Sequence, residues 1–185
     1  MGTNSLEREI KLRFQSPEEA REAVLGIGAT PLRGRRLQED CLLDTADERL
    51  RAARSVLRVR MDQGRSLLTY KGPVQPAPWK LREERETIIS DGETILYILE
   101  QLGFSVWFRY QKYREEFGAS DAIIAVDETP IGTFVEVEGS EKAITETAAA
   151  LGRSESDYIV DSYRGLYVQY CEARGSVVGD MIFDE

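Results

Sequence analysis

The feature of this 185-residue sequence that most constrains its fold is the recurrence of charged side chains at every second position in several short segments. In a β-strand, alternate residues point to opposite faces of the sheet, so each segment has one charged face and one apolar face. One such strand is typical of a sheet with one face in water. Several such strands in one chain need a further explanation. Here the pattern occurs in residues 6–14, 56–62, 81–89, 106–117 and 133–138.

Acids and bases are grouped by sign in these segments, whereas an ordinary solvated face tends to mix them. Glu7 and Glu9 share a strand face with Lys11, and Glu136 and Glu138 repeat the pair of acids. Lys, Arg and Glu are seldom buried without partners, because desolvating each one costs several kcal/mol. If the charged faces line the interior of a closed sheet, that interior needs access to water and opposite charges nearby. A tunnel that binds a multiply charged ligand would meet both conditions.

The remaining patterns predict an α+β domain, because antiparallel strands dominate and the helices occur singly. Ser16 and Glu19 form a capping box at the start of a helix that ends near Gly26 or Gly28. Residues 33–36 are predicted to be an Arg-rich connection ahead of a weak strand. The other predicted helices cover 93–102, 141–151 and 163–170, and the other predicted strands cover 38–43, 66–70 and 122–127.

The composition restricts the chemistry available to the chain. The sequence has no His and two Cys, which excludes His-based triads and makes a zinc site or a disulfide framework unexpected. A metal must then be bound by oxygen, which favours Mg²⁺, Mn²⁺ or Ca²⁺. The net charge is −9, no apolar segment is long enough for a bilayer, and the N-terminus lacks a secretory pattern. We therefore expect a cytoplasmic protein that binds neither membranes nor nucleic acids.

An ordered set of motifs resembles a known family. From about residue 6 to residue 170, the sequence resembles the CYTH superfamily of triphosphate tunnel metalloenzymes. This superfamily includes class IV adenylyl cyclases, thiamine triphosphatases and inorganic triphosphatases. The resemblance implies an antiparallel eight-stranded β-barrel tunnel with helices packed outside. The motifs are EREIK (7–11), QED with LDTADERL (38–50), VLRVR (56–60), LLTYKGP (67–73), REERE (82–86), YQKYR (110–114), AVDETPIGTFVEVEG (125–139) and DSY (161–163).

The resemblance also implies a role for each group of charged residues, with Mg²⁺ or Mn²⁺ as the cofactor. Lys11 and Glu9 are the expected catalytic residues, and Glu84 and Glu86 are expected to be further acids in the tunnel. The expected metal ligands are Glu7, Glu9, Asp127, Glu136 and Glu138. The expected substrate-binding residues are Lys11, Arg58, Arg60, Lys71, Arg82, Lys112 and Arg114.

Two reactions fit this site. In a hydrolase, an activated water attacks the terminal phosphorus; in a cyclase, the ribose 3′-hydroxyl attacks the α-phosphorus and pyrophosphate leaves. The cyclase also needs a base and ribose pocket, and Leu42 and Leu43 stand where many family members have aromatic residues. We therefore expect hydrolysis of inorganic triphosphate or a small organic triphosphate. A class IV adenylyl cyclase and a non-catalytic polyphosphate- or nucleotide-binding module are the alternatives, and tripolyphosphate, ATP and thiamine triphosphate are the candidate ligands.

Residues 1–171 are expected to form the CYTH domain and residues 172–185 an acidic tail, with the oligomeric state open and a homodimer among the options. Other residues near the motifs are interpreted as structural. Trp79 and Trp107 are expected to pack, although either ring could stack on a base, and Tyr163 is expected to anchor the last helix. Asp62 and Glu116 are expected to be peripheral partners of the charged set. Arg33, Arg35 and Arg36 are expected to lie in a solvated loop, and Cys41 and Cys171 are expected to be buried or inert.

Overall fold

Eight antiparallel strands close into a barrel in the computed structural model, which describes residues 5–184. Around the barrel the strands follow the order β1-β5-β4-β3-β2-β6-β7-β8, and helices lie on the outside. This architecture confirms the predicted α+β fold. The strands are β1 Ser5–Phe14, β2 Thr30–Thr45, β3 Val56–Asp62, β4 Arg65–Lys71, β5 Lys80–Ile89, β6 Phe104–Ala119, β7 Ala122–Thr129 and β8 Gly132–Gly139.

Four of the five described α-helices begin at a capping side chain, and the short helix Arg49–Ala52 is the exception. The Ser16 side chain accepts a hydrogen bond from the Glu19 amide, as predicted, and Asp91, Ser140 and Ser162 cap later helices in the same way. The last helix runs to residue 174, so the predicted boundary between domain and tail falls inside it. The helices are α1 Pro17–Gly26, α2 Arg49–Ala52, α3 Gly92–Gln101, α4 Glu141–Ala150 and α5 Tyr163–Arg174, with a 3₁₀ turn at Glu155–Asp157.

Strand β2 differs most from the prediction. It spans sixteen residues and pairs with β6 from Thr30 opposite Gly118 to Thr45 opposite Phe104. The predicted Arg-rich connection is therefore part of a strand, and the prediction was wrong at this point. Register shifts occur on both sides of Arg33. Such bulges interrupt the two-residue period, which is why the sequence pattern did not show the strand.

The apolar side chains lie outside the barrel wall and the charged side chains lie inside it. One apolar cluster joins β1, β7 and β8 to helices α1 and α4, with Ile10, Ile124 and Ile144 fully buried. A second cluster packs Phe108 and Phe134 against helix α5. The inward direction of the charged faces, inferred from their grouping by sign, is thereby confirmed.

The C-terminal residues fold back onto the barrel. Strand β6 pairs with β7 only from Tyr113 onward, and the preceding part of β6 bonds instead to residue 181. The Gln111 amide donates to the Met181 carbonyl and the Met181 amide donates to the Arg109 carbonyl, each at 2.9 Å. The Met181 side chain is buried in the second apolar cluster. The acidic segment after α5 therefore covers an edge of β6.

None of the helices described between residues 5 and 184 combines the length and the apolar character needed to cross a membrane.

Met181→Ala is expected to lower the free energy of unfolding by about 2 kcal/mol or more, because it empties a buried site against the barrel. Urea unfolding of the purified protein measures this change. Val177→Ala in the same segment is the control, since Val177 is 93% exposed and its truncation should change stability by less than about 0.5 kcal/mol. Equal effects of the two substitutions would show that the segment does not support the fold.

Candidate functional site

The interior of the barrel is a cavity of about 950 Å³ with a charged lining. Among the described residues, fourteen basic and eight acidic side chains line it, an excess of six positive charges in a chain whose net charge is −9. Every residue that the sequence assigned to the site lies on this lining except Asp127. Those residues are Glu7, Glu9, Lys11, Arg58, Arg60, Lys71, Arg82, Glu84, Glu86, Lys112, Arg114, Glu136 and Glu138.

The strand registers place charged side chains of neighbouring strands side by side. Glu9 on β1 lies opposite Lys80 on β5 and opposite Glu138 on β8. Lys11 lies opposite Glu136 in the same β1–β8 pair. Directly opposed residues of an antiparallel pair have Cβ atoms about 5 Å apart, so their side chains interact. Two rows of charged side chains therefore cross these strands: Lys80, Glu9 and Glu138, in which two acids are adjacent, and Lys11 with Glu136.

Glu9 and Lys11 lie two residues apart on β1, between strands β5 and β8. The Lys11 Nζ donates to the Glu9 Oε1 at 2.7 Å and lies 3.3 Å from the Glu136 Oε1. Burial disfavours the charged form of Lys11, but Glu9 and Glu136 outweigh that effect and raise the pKa of the amine above its ordinary value. Burial likewise opposes ionisation of Glu9, but Lys11 and Lys80 hold the pKa of this carboxyl well below its usual range. Lys11 is therefore a permanent cation and not a proton acceptor at neutral pH.

A second pair of acids surrounds Lys71. The Lys71 Nζ lies 2.8 Å from the Glu7 Oε1 and 2.8 Å from the Glu84 Oε2, and Arg82 also contacts Glu7. Burial and the charge of Glu9 raise the pKa of Glu7 to about 7. Burial opposes ionisation of Glu84, but Lys71 overcomes it and lowers the pKa of Glu84 to about 2. Of the two carboxyl groups next to Lys71, Glu84 is therefore ionised at neutral pH and Glu7 is partly protonated.

Glu138 stands apart from the other acids. Within residues 5–184 it has no hydrogen bond or ion pair, although it lines the cavity. Glu138 is exposed to the solvent of the cavity, but partial desolvation, together with the charges of Glu84 and Glu9, raises the pKa of its carboxyl to about 7. The local field therefore disfavours another negative charge at this point, and a cation placed there would be stabilised.

Asp127 has a position that the sequence did not predict. It is fully buried behind the lining, where its carboxylate accepts from the Lys112 Nζ at 2.8 Å, the Arg114 Nε at 2.7 Å and the Tyr163 hydroxyl at 2.6 Å. Arg114 also pairs with Glu136. Burial and the charge of Arg114 lower the pKa of Lys112 to about 8. Asp127 therefore fixes the direction of two cavity cations and of the first residue of α5.

Asp40 is a buried acid that the sequence analysis missed. Its Oδ1 accepts from the Arg60 Nε at 2.9 Å and lies 3.4 Å from the Arg58 Nε. Burial opposes its ionisation, yet Arg60 and Arg58 lower its pKa below the ordinary value. The sequence feature that could have identified Asp40 is its alternation with Gln38 in the weak strand, because both side chains are buried on the same face of β2.

Lys80 was also missed, because it lies one residue before the predicted start of its strand. The Lys80 side chain is buried and its Nζ donates to the Glu9 Oε1 at 2.7 Å. Burial lowers the pKa of Lys80 to about 7 despite the attraction of Glu9, and the nearby cations Lys11 and Arg82 act in the same direction as burial.

The prediction that Arg36 is solvated was wrong. Arg36 is buried and its guanidinium lies 2.9 Å from both the Asp62 and the Glu116 carboxylates. Arg33 contacts Asp62 at 3.1 Å. Asp62 and Glu116 line the cavity, so the interpretation of these two acids as peripheral is corrected as well. Arg36 shares the inward face of Gln38 and Asp40, because no register shift separates these residues; it was missed because the predicted strand began only at residue 38.

The aromatic residues take different positions. Trp107 lines one part of the cavity, and the guanidiniums of Arg51 and Arg164 lie 4.4 Å and 5.8 Å from its ring centroid. Trp79 packs against the apolar cluster under α1 and α4, as predicted. Tyr163 anchors α5 through Asp127, and its ring also lies 5.2 Å from the Lys11 ammonium.

Cys41 and Cys171 are buried free thiols, as predicted.

The carboxylates fit a hard divalent cation in their chemistry but are arranged around other partners. Within the described part of the chain, no three His, Cys, Asp or Glu side chains are placed together to hold a metal ion. Glu9 and Glu136 are instead paired with Lys11 and Arg114. The three acids Glu9, Glu136 and Glu138 nevertheless lie on adjacent strands and offer oxygen ligands, and the raised pKa of Glu138 marks a place that favours positive charge.

Comparisons with known proteins agree with this geometry. The family model of the CYTH domain matches residues 5–163. The chain belongs to the CYTH domain family. A Methanocaldococcus jannaschii protein named "Putative adenylate cyclase MJ0240" is 31% identical over 142 residues, which cover 76% of this chain and 81% of that protein. CYTH membership thus rests on most of the described barrel.

Solved structures share the fold. The PH1819 protein of Pyrococcus horikoshii superposes with a TM-score of 0.72 and 26% identity, covering 89% of this chain and 99% of its own. The protein HpAC1 from Hippeastrum, for which a dominant triphosphatase activity is described, superposes with a TM-score of 0.67 and 18% identity. That alignment covers 93% of this chain and 97% of HpAC1, and at this identity it shows the fold alone.

In metal-free protein, Glu138 is expected to titrate with a midpoint near pH 7 instead of the ordinary 4.5. Because the folded-state pKa is raised, ionisation of this carboxyl destabilises the fold progressively as the pH rises from 4.5 to about 7. NMR of the side-chain carboxyl carbons, assigned with Glu138→Gln, measures the midpoint. Glu84→Gln removes one of the charges responsible and should lower it. A midpoint at the ordinary value would contradict the electrostatic description of the site.

Proposed function

We propose that this CYTH protein is a divalent-metal-dependent enzyme that hydrolyses the terminal phosphate of inorganic triphosphate or a small organic triphosphate. The observation that carries the proposal is the excess of six positive charges inside the cavity of a chain with a net charge of −9. A polyphosphate carries several negative charges in a small volume, so it matches this interior better than a neutral or singly charged ligand does.

The cations of the proposed phosphate clamp are held in place before a ligand arrives. Asp40 fixes Arg58 and Arg60, and Asp127 fixes Lys112 and Arg114. Guanidinium groups form strong charge-assisted hydrogen bonds with phosphate oxygens. Preorganised donors of this kind stabilise the charge that develops in phosphoryl transfer without a reorganisation cost. We propose that Lys11, Lys71 and Arg82 complete the clamp.

Glu9, Glu136 and Glu138 are the proposed ligands of Mg²⁺ or Mn²⁺, with Glu7 and the acids Glu84 and Glu86 nearby. When bound, the metal would neutralise phosphate oxygens and help to activate a water. We reassign Asp127 from the metal to the clamp, because three donors already occupy its two oxygens.

Lys11 acts as a fixed charge in this mechanism. Its raised pKa keeps the amine protonated, so it orients the terminal phosphate and the attacking water and does not remove a proton. Glu9 holds Lys11 in place on one side and Glu136 contacts it on the other. Lys11 and Glu9 therefore remain the proposed catalytic pair.

The surroundings of Trp107 favour hydrolysis over cyclisation. A cyclase must hold a base, and stacking on a Trp ring is an effective way to do so. Here the Arg51 guanidinium already lies over the ring at 4.4 Å. Leu42 and Leu43, which also line the cavity, offer no hydrogen bonds to a base. HpAC1, for which a dominant triphosphatase activity is described, shares the fold, whereas the name of the M. jannaschii relative favours the cyclase alternative.

Purified protein with Mn²⁺ or Mg²⁺ is expected to release orthophosphate from tripolyphosphate and to form no cyclic AMP from ATP. Separate incubations with tripolyphosphate, ATP and thiamine triphosphate, followed by product identification, measure the reaction and its substrate. Cyclic AMP and pyrophosphate from ATP would replace the hydrolase by a class IV adenylyl cyclase. Binding without turnover of any of the three compounds would leave a non-catalytic module.

Glu138→Gln and Arg60→Gln are each expected to lower turnover by roughly 100-fold, a typical cost of losing one electrostatic contact to the transition state. Arg13→Gln is the matched control, because Arg13 is an exposed arginine of the strand that holds Glu9 and does not line the cavity. Steady-state phosphate release measures all three. Isothermal titration with tripolyphosphate in EDTA should show weaker binding for Arg60→Gln and retained binding for Glu138→Gln. Turnover by Glu138→Gln at the wild-type rate would remove this acid from the mechanism.

A further inference from the structure

The geometry points to Lys80 as an internal competitor of the divalent metal: we propose that its ammonium occupies Glu9 in the metal-free protein and must leave when the metal binds. Lys80 would then set the metal concentration at which the site fills. The inference rests on the proposed metal site at Glu9 and Glu138, and it assigns a role to a residue that neither the sequence motifs nor the family comparison identifies.

Two lysines converge on one oxygen of Glu9. The Nζ atoms of Lys11 and Lys80 each lie 2.7 Å from the Glu9 Oε1. The strand registers place Lys80 on one flank of Glu9 and Glu138 on the other. Lys80 therefore holds the Glu9 carboxylate from one side, and Glu138, the acid with which Glu9 would share a metal, lies on the other side.

The two lysines differ in their other contacts. Lys11 also lies 3.3 Å from Glu136, so it keeps a carboxylate partner if Glu9 turns to a metal. Lys80 is buried, and within the part of the chain that the structure describes Glu9 is its one ion-pair partner. A metal on Glu9 would thus leave Lys80 close to a second cation without a carboxylate of its own. Like charges repel strongly at such distances in a buried site, so metal and Lys80 oppose each other.

The competition has a direct consequence for the ligand. A Lys80 side chain released from Glu9 lies on the cavity lining, where it can pair with a phosphate oxygen. A triphosphate would then relieve the repulsion that the metal creates. Metal and triphosphate are each bound more tightly when the other is present, and by linkage this coupling is reciprocal.

The test measures Mn²⁺ binding to the metal-free protein in the absence of any phosphate compound. Lys80→Met is expected to bind Mn²⁺ roughly tenfold more tightly than the wild type, because the competing charge is gone. Lys80→Arg keeps a positive charge and should bind Mn²⁺ no more tightly than the wild type. Lys142→Met, at a lysine whose side chain is 81% exposed on α4, is the matched control and should change nothing. Electron paramagnetic resonance of free Mn²⁺ gives the affinity.

The direction of the effect separates this role from a structural one. Loss of packing around Lys80 would weaken metal binding, whereas the proposal requires a gain. Lys80→Gln serves as a second neutral variant if Lys80→Met does not fold. Mn²⁺ affinity in the folded neutral variant that equals or falls below that of the wild type would overturn the proposal. A tenfold gain combined with no turnover of any triphosphate would support the competition and reject the proposed function.

Discussion

The structure depends on the neutralisation of buried charge. Asp40 and Asp127 are buried behind the cavity lining. Asp40 pairs with two basic side chains of β3, and Asp127 pairs with two basic side chains of β6. Removing a partner from such a group leaves an uncompensated buried charge, which costs several kcal/mol. Neighbouring strands in fixed register bring these partners together, with Asp40 opposite Arg60 and Asp127 opposite Arg114. The charged interior is therefore tolerated because the strand registers give its buried charges opposite partners.

An interior of this kind moves the apolar core to the outside of the barrel wall. The strands bury Ile10, Val137 and their neighbours under α1 and α4, and they bury Phe108 and Phe134 under α5. Because the usual site of a β-barrel core is occupied by ionic groups, the helices and the returning C-terminal residues provide the apolar contacts that a barrel otherwise makes with itself. The same arrangement explains why Met181, far from the motifs in the sequence, is buried.

Most of the fold and of the cavity lining could be predicted from the alternation of charged and apolar residues along the strands. The exceptions have identifiable causes. Regular strands such as β3 and β8 show the alternation directly, whereas the register shifts on both sides of Arg33 hid the first part of β2. The buried Arg36 was missed because it lies just before the predicted strand 38–43. The short helix α2 lies between Glu48 and Arg54, which have φ values of 56° and 54°. Neither is Gly or Asn, the residues that usually mark a left-handed turn, so the sequence carries no signal there.

The role of each acid could not be predicted, because the difference lies in how many donors surround it. Asp127 and Glu138 were both assigned to the metal, and both lie on strands next to the cavity. Asp127 accepts from three donors, whereas Glu138 has none within residues 5–184 and its pKa rises to about 7. The donor count follows from long-range strand registers and from Tyr163 of α5, which no local pattern contains. A saturated acid orients its neighbours, and an unsaturated acid is free to accept a new cation. Glu9 and Glu136, the other proposed metal ligands, would each have to exchange a lysine or arginine partner for the cation, so we expect Glu138 to accept it first.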